Sequence, residues 1–277
     1  MSDTSFASEW ARSREPDGSP PPRCMIPLAD GTGTPLYLVH WVLGNIAFIR
    51  DFAEVFSGGH PVFGFEATGL RDRRRPLLSV AEMADRYLRE IRQVQPHGPY
   101  LLGGLCSGSQ IAFEMAGRLV AAGEEVGPLL LVNGGRGELL ALPPLGLEDH
   151  YELRLAELGR LFAAADLRAD AGRVMKALRE LRWIDSDAAE EDFYWRQVIY
   201  AANAYAHQRA RLRRYEGPVE LFLCEWAASD PSSAWGEVAP DREVRVFNAE
   251  TTIEILRSPV FASVAGRGFR EAARRCR

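Results

Sequence analysis

No stretch of this sequence stays apolar for the ~18–20 residues that a membrane-spanning helix needs, although 47% of its 277 residues are hydrophobic. The N-terminus lacks a basic segment followed by an apolar core, so it does not read as a secretory signal. Cysteine is scarce: Cys24, Cys106, Cys224 and Cys276 are the four in the chain, and their spacing fits neither a disulfide framework nor a metal site. Histidine is almost as rare, at five residues, none paired with a cysteine. A metal site is therefore not expected. A basic excess is missing too: 33 Lys and Arg against 38 Asp and Glu leave a net charge of −5, which does not suggest a nucleic-acid partner. These absences describe a cytoplasmic protein with reduced thiols, no nucleic acid and no membrane among its partners. The length suits one large domain or one domain with an insertion.

What is present is organised around Tyr100-Leu101-Leu102-Gly103-Gly104-Leu105-Cys106-Ser107-Gly108-Ser109. An apolar run ends in Gly-x-Cys-x-Gly, and a helix-period segment, Gln110 to Ala116, follows. Strand, tight glycine turn and helix in that order is the context of a nucleophile elbow. Gly104 and Gly108 let the backbone cross there without Cβ clashes. The residue at the turn is Cys106. The helix behind it aims its free N–H groups and partial positive charge at the sulfur, which predicts a thiolate-favouring site.

Residues 1–24 are polar and proline-rich and read as a disordered tail; residues 25–277 read as the folded domain. Strands are expected at Pro35–His40, Pro61–Phe65, Leu129–Val132, Val219–Cys224 and Val244–Phe247. Helices are expected through Phe48, Phe52 and Val55, from Ser79 to about Val94, and near Val260–Ala273. Ser79 and Glu82 have capping-box spacing. The wholly apolar Leu129–Val132 is of the type buried on both faces of a parallel sheet. Strand and helix in alternation predict α/β architecture with right-handed crossovers. From about Leu145 to Arg214 the pattern is helical only, with an aromatic group at Phe193, Tyr194, Trp195, Tyr200 and Tyr205. Such an insertion suits a lid over the edge of a sheet. The basic run Arg71–Arg75 reads as a solvated loop or a surface for an acidic partner.

Several of these segments, over roughly residues 35–270, resemble the thioesterase family of the α/β-hydrolase fold, whose members serve nonribosomal peptide and polyketide synthases. The resemblance rests on Pro35–His40 with Gly44, on Val62–Phe65 with Gly69-Leu70, and on Ser79–Ala84. It is strongest across Gln95–Gly104 and Ile111–Ala116, and includes Tyr215–Val219 and the Trp235 loop. It implies a mostly parallel sheet flanked by helices with a helical lid at about 145–214. It also implies a substrate carried as a small acyl or aminoacyl group on the phosphopantetheine of an acyl or peptidyl carrier protein, with no cofactor of the protein's own. Family chemistry uses a nucleophile, an acid and a histidine. Here the matching positions hold Cys106, Asn133 and Thr252. The oxyanion hole matches the backbone N–H groups of Val42 and Ser107. His40 falls at a position that is structural in the family. With no histidine at its usual place, Glu250 and His207 are the candidate acid–base groups.

Hydrolysis needs a base to activate water, a contribution of ~10²–10⁴-fold, whereas thiol exchange asks less. A cysteine can accept an acyl group from a phosphopantetheine thioester and expel a thiolate of similar basicity. The expected activity is acyl or aminoacyl transfer, or cyclisation, through acyl-Cys106. Hydrolysis by a relocated base, and an inert member that binds a carrier protein or product, are the alternatives.

Overall fold

Seven short strands build one sheet, and the computed structural model describes residues 4–14, 22–57, 59–136, 143–230 and 233–265. The strands are β1 (Met25–Ala29), β2 (Leu36–Val39), β3 (Val62–Phe65), β4 (Leu101–Leu105), β5 (Leu129–Val132), β6 (Val219–Cys224) and β7 (Arg242–Phe247). Their order is β1-β3-β2-β4-β5-β6-β7. β1 runs antiparallel to β3, and every other neighbouring pair is parallel. Every residue of β2, β4 and β5 is buried, as expected where helices cover both faces of a parallel sheet.

The helices are α1 (Phe6–Ala11), α2 (Ala47–Asp51), α3 (Ala53–Ser57), α4 (Val80–Val94), α5 (Gly108–Ala121), α6 (Leu147–Leu161), α7 (Leu167–Glu180), α8 (Phe193–Arg209), α9 (Glu225–Ala228) and α10 (Thr252–Arg257). The segment expected as one helix through Phe52 is two, broken at that residue. α4 starts where the capping spacing places it, with Ser79 Oγ accepting from Glu82 N at 3.2 Å. Its buried face is Met83, Tyr87 and Ile91. Residues 259–265 are helical as well; the rest of the expected last helix lies outside the described residues.

The insertion between β5 and β6 folds as α6, α7 and α8. α8 has no polar face to speak of: Trp195, Val198, Ile199, Ala201 and Ala202 are all buried, because it lies between the other insertion helices and the sheet domain. Two apolar clusters distinct from the main core form there. Leu158, Val174, Met175, Leu178 and Phe193 make one; Tyr151, Trp195 and Ile199 with Ala67 and Leu70 make the other.

Two expectations fail in this region. The tail is not disordered over residues 4–14. Phe6 and Trp10, one turn apart, give α1 an apolar side that stacks beside Tyr151, and Tyr151 donates its hydroxyl to Thr4 O at 2.7 Å. Residues 15–21 of the expected tail lie outside the described residues. Nor is Arg71–Arg75 a solvated loop. Arg71 is bidentate on Glu66 at 2.5 and 2.7 Å, and Arg73 joins Asp192 of the insertion at 2.8 Å to the buried Glu9 of α1 at 3.6 Å. Arg75 lies over the Trp10 ring at 5.2 Å. Carboxylates both near (Glu66, Asp72) and distant in sequence (Glu9, Asp192) pair with Arg71, Arg73 and Arg74 of the run.

Candidate active site

Between the end of β4 at Leu105 and the start of α5 at Gly108 the turn is two residues long. Cys106 holds a left-handed backbone, φ 52°, which a non-glycine residue adopts only where its surroundings impose it. Its N–H donates to Val132 O at 2.8 Å, and its carbonyl accepts from Ser109 N at 3.0 Å. The crossing is as tight as the glycines imply. A Cβ on Gly104 would lie 2.3 Å from Gly108 O, and one on Gly108 would lie 2.2 Å from His40 O.

The backbone N–H groups of Ser107 and Val42 both face the Cys106 sulfur. Two donors from two loops, converging on one atom, are the makings of an oxyanion hole. The Val42 loop is held from both sides. Asn203 of α8 donates to Val42 O at 3.0 Å. On the other side His40, fully buried, joins Trp41 O at 2.7 Å to the Tyr87 hydroxyl at 2.8 Å.

The structure brings Asn133 and Thr252 together. Asn133 follows β5 with φ 51°, a conformation asparagine tolerates better than most side chains. Its Oδ1 accepts from Cys224 N at 3.3 Å, which leaves Nδ2 to donate to Thr252 Oγ1 at 3.2 Å. Thr252 is the first residue of α10, and Thr251 caps that helix by accepting from Glu254 N at 3.2 Å. An amide and a hydroxyl thus meet at the two positions where the resemblance expects an acid and an imidazole. Neither takes up a proton near neutral pH.

The expected thiolate-favouring environment is not found. Burial pushes the Cys106 thiol above its ordinary value, and the Ser107 and Val42 donors pull it back only in part.

Cys106, Asn133, Thr252 and Glu250 line one pocket of about 320 Å³ that opens to solvent. Trp41, Phe48, Trp183, Tyr200 and Trp226 supply its apolar walls, and Arg154 and Glu157 of α6 complete its charged lining. Glu250 is exposed and is held by its backbone: its N–H donates to Glu254 at 2.7 Å and its carbonyl accepts from Trp226 Nε1 at 2.9 Å. Arg154, Glu157, Trp183, Tyr200 and Trp226 carry no signal that singles them out in the sequence. Each reads as an ordinary residue of its segment until the chain is folded.

His207 is not brought to this site. It sits near the end of α8, does not line the pocket, and burial lowers it to about 4. The other histidines are elsewhere too. His60 faces Thr34 O at 3.0 Å, His150 faces Gln208 at 3.2 Å, and His97 lies 3.5 Å from Glu124. Burial lowers His40 to about 4 as well. The unfolded chain, with histidine near ~6.5, binds more protons than the folded one between these values, so stability falls as pH drops from about 6.5 towards 4. For His40 alone the loss is roughly 3 kcal/mol. Denaturant unfolding at pH 7 and pH 4.5 should give clearly different midpoints, and His40→Gln should flatten that slope. Equal midpoints in the unaltered protein would refute the assignment.

A mostly parallel sheet with a tight strand-to-helix turn at the end of β4 and a helical insertion after β5 defines an α/β-hydrolase fold. The thioesterase-domain family model matches residues 34–222, and the chain belongs to that family. Aspulvinone E synthetase melA of Aspergillus terreus is 29% identical over 219 residues, 78% of this chain and 21% of that protein. Indigoidine synthase of Dickeya dadantii is 38% identical over 109 residues, 39% of this chain and 7% of that protein. The chain spans about a fifth or less of the length of the curated relatives it matches. Among solved structures, the NocB thioesterase domain from the nocardicin cluster, in complex with a fluorophosphonate nocardicin G analogue, superposes with a TM-score of 0.64 at 23% identity, covering 90% of this chain and 98% of that one. The four-domain nonribosomal peptide synthetase AB3403 gives 0.72 at 20% identity over 91% of this chain and 20% of that one. The protein is thus homologous to thioesterase domains of nonribosomal peptide and polyketide synthases. Among the described residues no helix is long and apolar enough to cross a membrane.

Proposed function

We propose that the protein is a thioesterase-family acyl or aminoacyl transferase, or cyclase, that takes its substrate from the phosphopantetheine thioester of a carrier protein and holds it on Cys106. One observation carries this reading: the oxyanion donors face a cysteine at the elbow, while the pair beside it, Asn133 and Thr252, cannot act as a base. In the first step the Cys106 sulfur attacks the thioester carbonyl carbon. A new C–S bond forms to Cys106, the C–S bond to phosphopantetheine breaks, and the departing thiolate receives the proton that Cys106 gave up. The N–H groups of Val42 and Ser107 hold the carbonyl oxygen while it is negative. In the second step a thiol, amine or alcohol displaces Cys106, and Glu250 at the pocket wall is the group placed to take an acceptor's proton. None of the five histidines lines the pocket to activate water.

The raised thiol favours a second reading, a non-catalytic member that lodges a carrier-bound chain in the pocket. Intact-mass spectrometry after mixing with an acylated carrier protein separates the two. An acyl adduct is expected on the unaltered protein and not on Cys106→Ala. Its rate should climb with pH beyond the ordinary cysteine value of ~8.5, since only the thiolate attacks. No adduct from several acyl groups at any pH up to 9.5 would leave binding as the function.

A further inference from the structure

The two edges of the sheet are not alike. β1, at one end, is guarded: Pro27 offers no N–H, and the register slips between Pro27 and Ala29, two devices that keep an edge from pairing with another chain. β7, at the other end, has neither. Its six residues, Arg242 to Phe247, hold an unbroken register with β6, and among the described residues β6 is its one strand partner. Val219 N donates to Asp241 O at 2.9 Å. That bond turns the backbone of residues 241, 243, 245 and 247 towards β6, and it turns the N–H and C=O groups of Arg242, Val244 and Val246 outward. Val244 is 45% exposed and Val246 is 53% exposed, although both lie within a regular strand. Val260, also exposed, and Val264 line a groove along the same edge with Val246 and Phe247.

We infer that the outer edge of β7 joins two copies of this chain, antiparallel, about a two-fold axis at Val244, so that two seven-stranded sheets continue as one. The register follows from charge. An antiparallel ladder across this edge must set outward residues against outward residues, and three registers match at least two of them. Centred on Glu243, the strands put Glu243 opposite its own copy. Centred on Arg245, they put Arg245 opposite its own copy. Like charges directly opposite are destabilising. Centred on Val244, the strands pair Val244 with Val244 and Arg242 with Val246, which uses all three outward residues, and they set Glu243 opposite Arg245 twice. Glu243 and Arg245 then form the non-hydrogen-bonded pairs, in which side chains stand closest. Within one copy Glu243 already meets Arg245 along the strand at 2.6 Å; in two copies the four charges alternate around a ring. An edge that repels itself in the neighbouring registers and completes itself in this one is self-complementary, as an isologous contact requires. The pocket residues Glu250 and Thr252 follow β7 closely in the chain, so the contact also braces the segment that carries them.

The test is the mass of the full chain in solution, by sedimentation velocity in reducing buffer over about a hundredfold range of concentration. A species of twice the 30.8 kDa chain mass is expected. Val244→Pro removes the central N–H, which in a single copy points away from β6. That variant should keep the circular dichroism of the unaltered protein and run as a monomer, since an edge strand tolerates proline there. Glu243→Arg sets arginine against the partner's Arg245, and Arg245→Glu sets glutamate against the partner's Glu243, so each alone should be monomeric. An equimolar mixture of these two variants should recover the doubled mass, because each supplies the charge that the other lacks. Both exchanges in one chain should recover it as well. A monomer at every concentration, whether the edge is bare or covered by another part of the chain, would overturn the inference. So would a dimer that survives in Val244→Pro and in both single charge variants, since another face would then hold it. A dimer lost in Val244→Pro but kept in both charge variants would overturn the register and leave the edge.

Discussion

Replacing Asn133 with Asp and Thr252 with His in the same chain should turn the protein into a hydrolase, with release of free acid from acyl-pantetheine rising about 10²–10⁴-fold, the usual worth of a positioned base. The geometry is already in place. Asn133 Nδ2 and Thr252 Oγ1 are 3.2 Å apart, the pocket they line contains Cys106, and the oxyanion donors face the sulfur. Hydrogen-bond polarity makes the two changes interdependent. Asn133 Oδ1 is occupied by Cys224 N at 3.3 Å, so position 133 presents a donor to position 252. With Thr252→His alone, the imidazole must accept from that donor. It then carries its proton on the other nitrogen, the one that should act as base, and the tautomer is wrong. Asn133→Asp alone accepts from the threonine hydroxyl and activates nothing. Together they give a carboxylate that holds the ring in the useful tautomer. Thr251, which caps α10, is untouched. The two changes should therefore be strongly non-additive. Thin-layer or liquid chromatography of the released acid is the measurement, and a double variant no faster than either single one would sink the proposal that these positions stand where an acid and a base belong.

Gly108→Ala should cost about 3 kcal/mol or more, at the upper end of what overpacking does, and abolish acylation of Cys106. The added methyl would meet His40 O at 2.2 Å and Val39 O at 2.7 Å. Both are backbone atoms, of a central strand and of the loop that carries the Val42 donor. Neither can turn aside as a long side chain would, so α5 must retreat from β2 and the two oxyanion donors must part. Gly117→Ala in the same helix is the control. A Cβ there meets nothing within 4 Å, and alanine for glycine in a helix gains up to about 1 kcal/mol. Melting curves of the two variants should move in opposite directions, and a Gly108→Ala protein as stable as the unaltered one would contradict the close crossing.

The sequence was most informative where chemistry is local. The strand before Cys106 is a run of apolar residues closed by glycines, and both the turn and the helix follow from those few positions. Leu129–Val132 is legible for the same reason. The strand β1 was not, because Pro27 interrupts it and it lies at the sheet edge, paired only with β3, where no alternation is demanded. Helix α1 was hidden by its brevity: six residues become a helix only because the insertion offers Phe6 and Trp10 a surface. The raised ionisation of Cys106 is not legible, because a helix N-terminus can be read from sequence and the packing around the thiol cannot. Arg154 is not legible as a pocket residue, because one arginine among the many charges of α6 has no mark on it until Tyr200, 46 positions later by number, lies beneath it.

The contacts of residues 4–14 also set an order of events during synthesis. Thr4 bonds Tyr151 and Arg168 across 147 and 164 positions of chain, and Arg73, which holds Glu9, is secured in turn by Asp192 across 119. A nascent chain emerges N-terminal end first, so α1 is made before α6 and α8 and has no partner until they have left the ribosome. Contacts so distant in sequence form late. Residues 4–14 therefore dock only once the insertion beneath them has been completed.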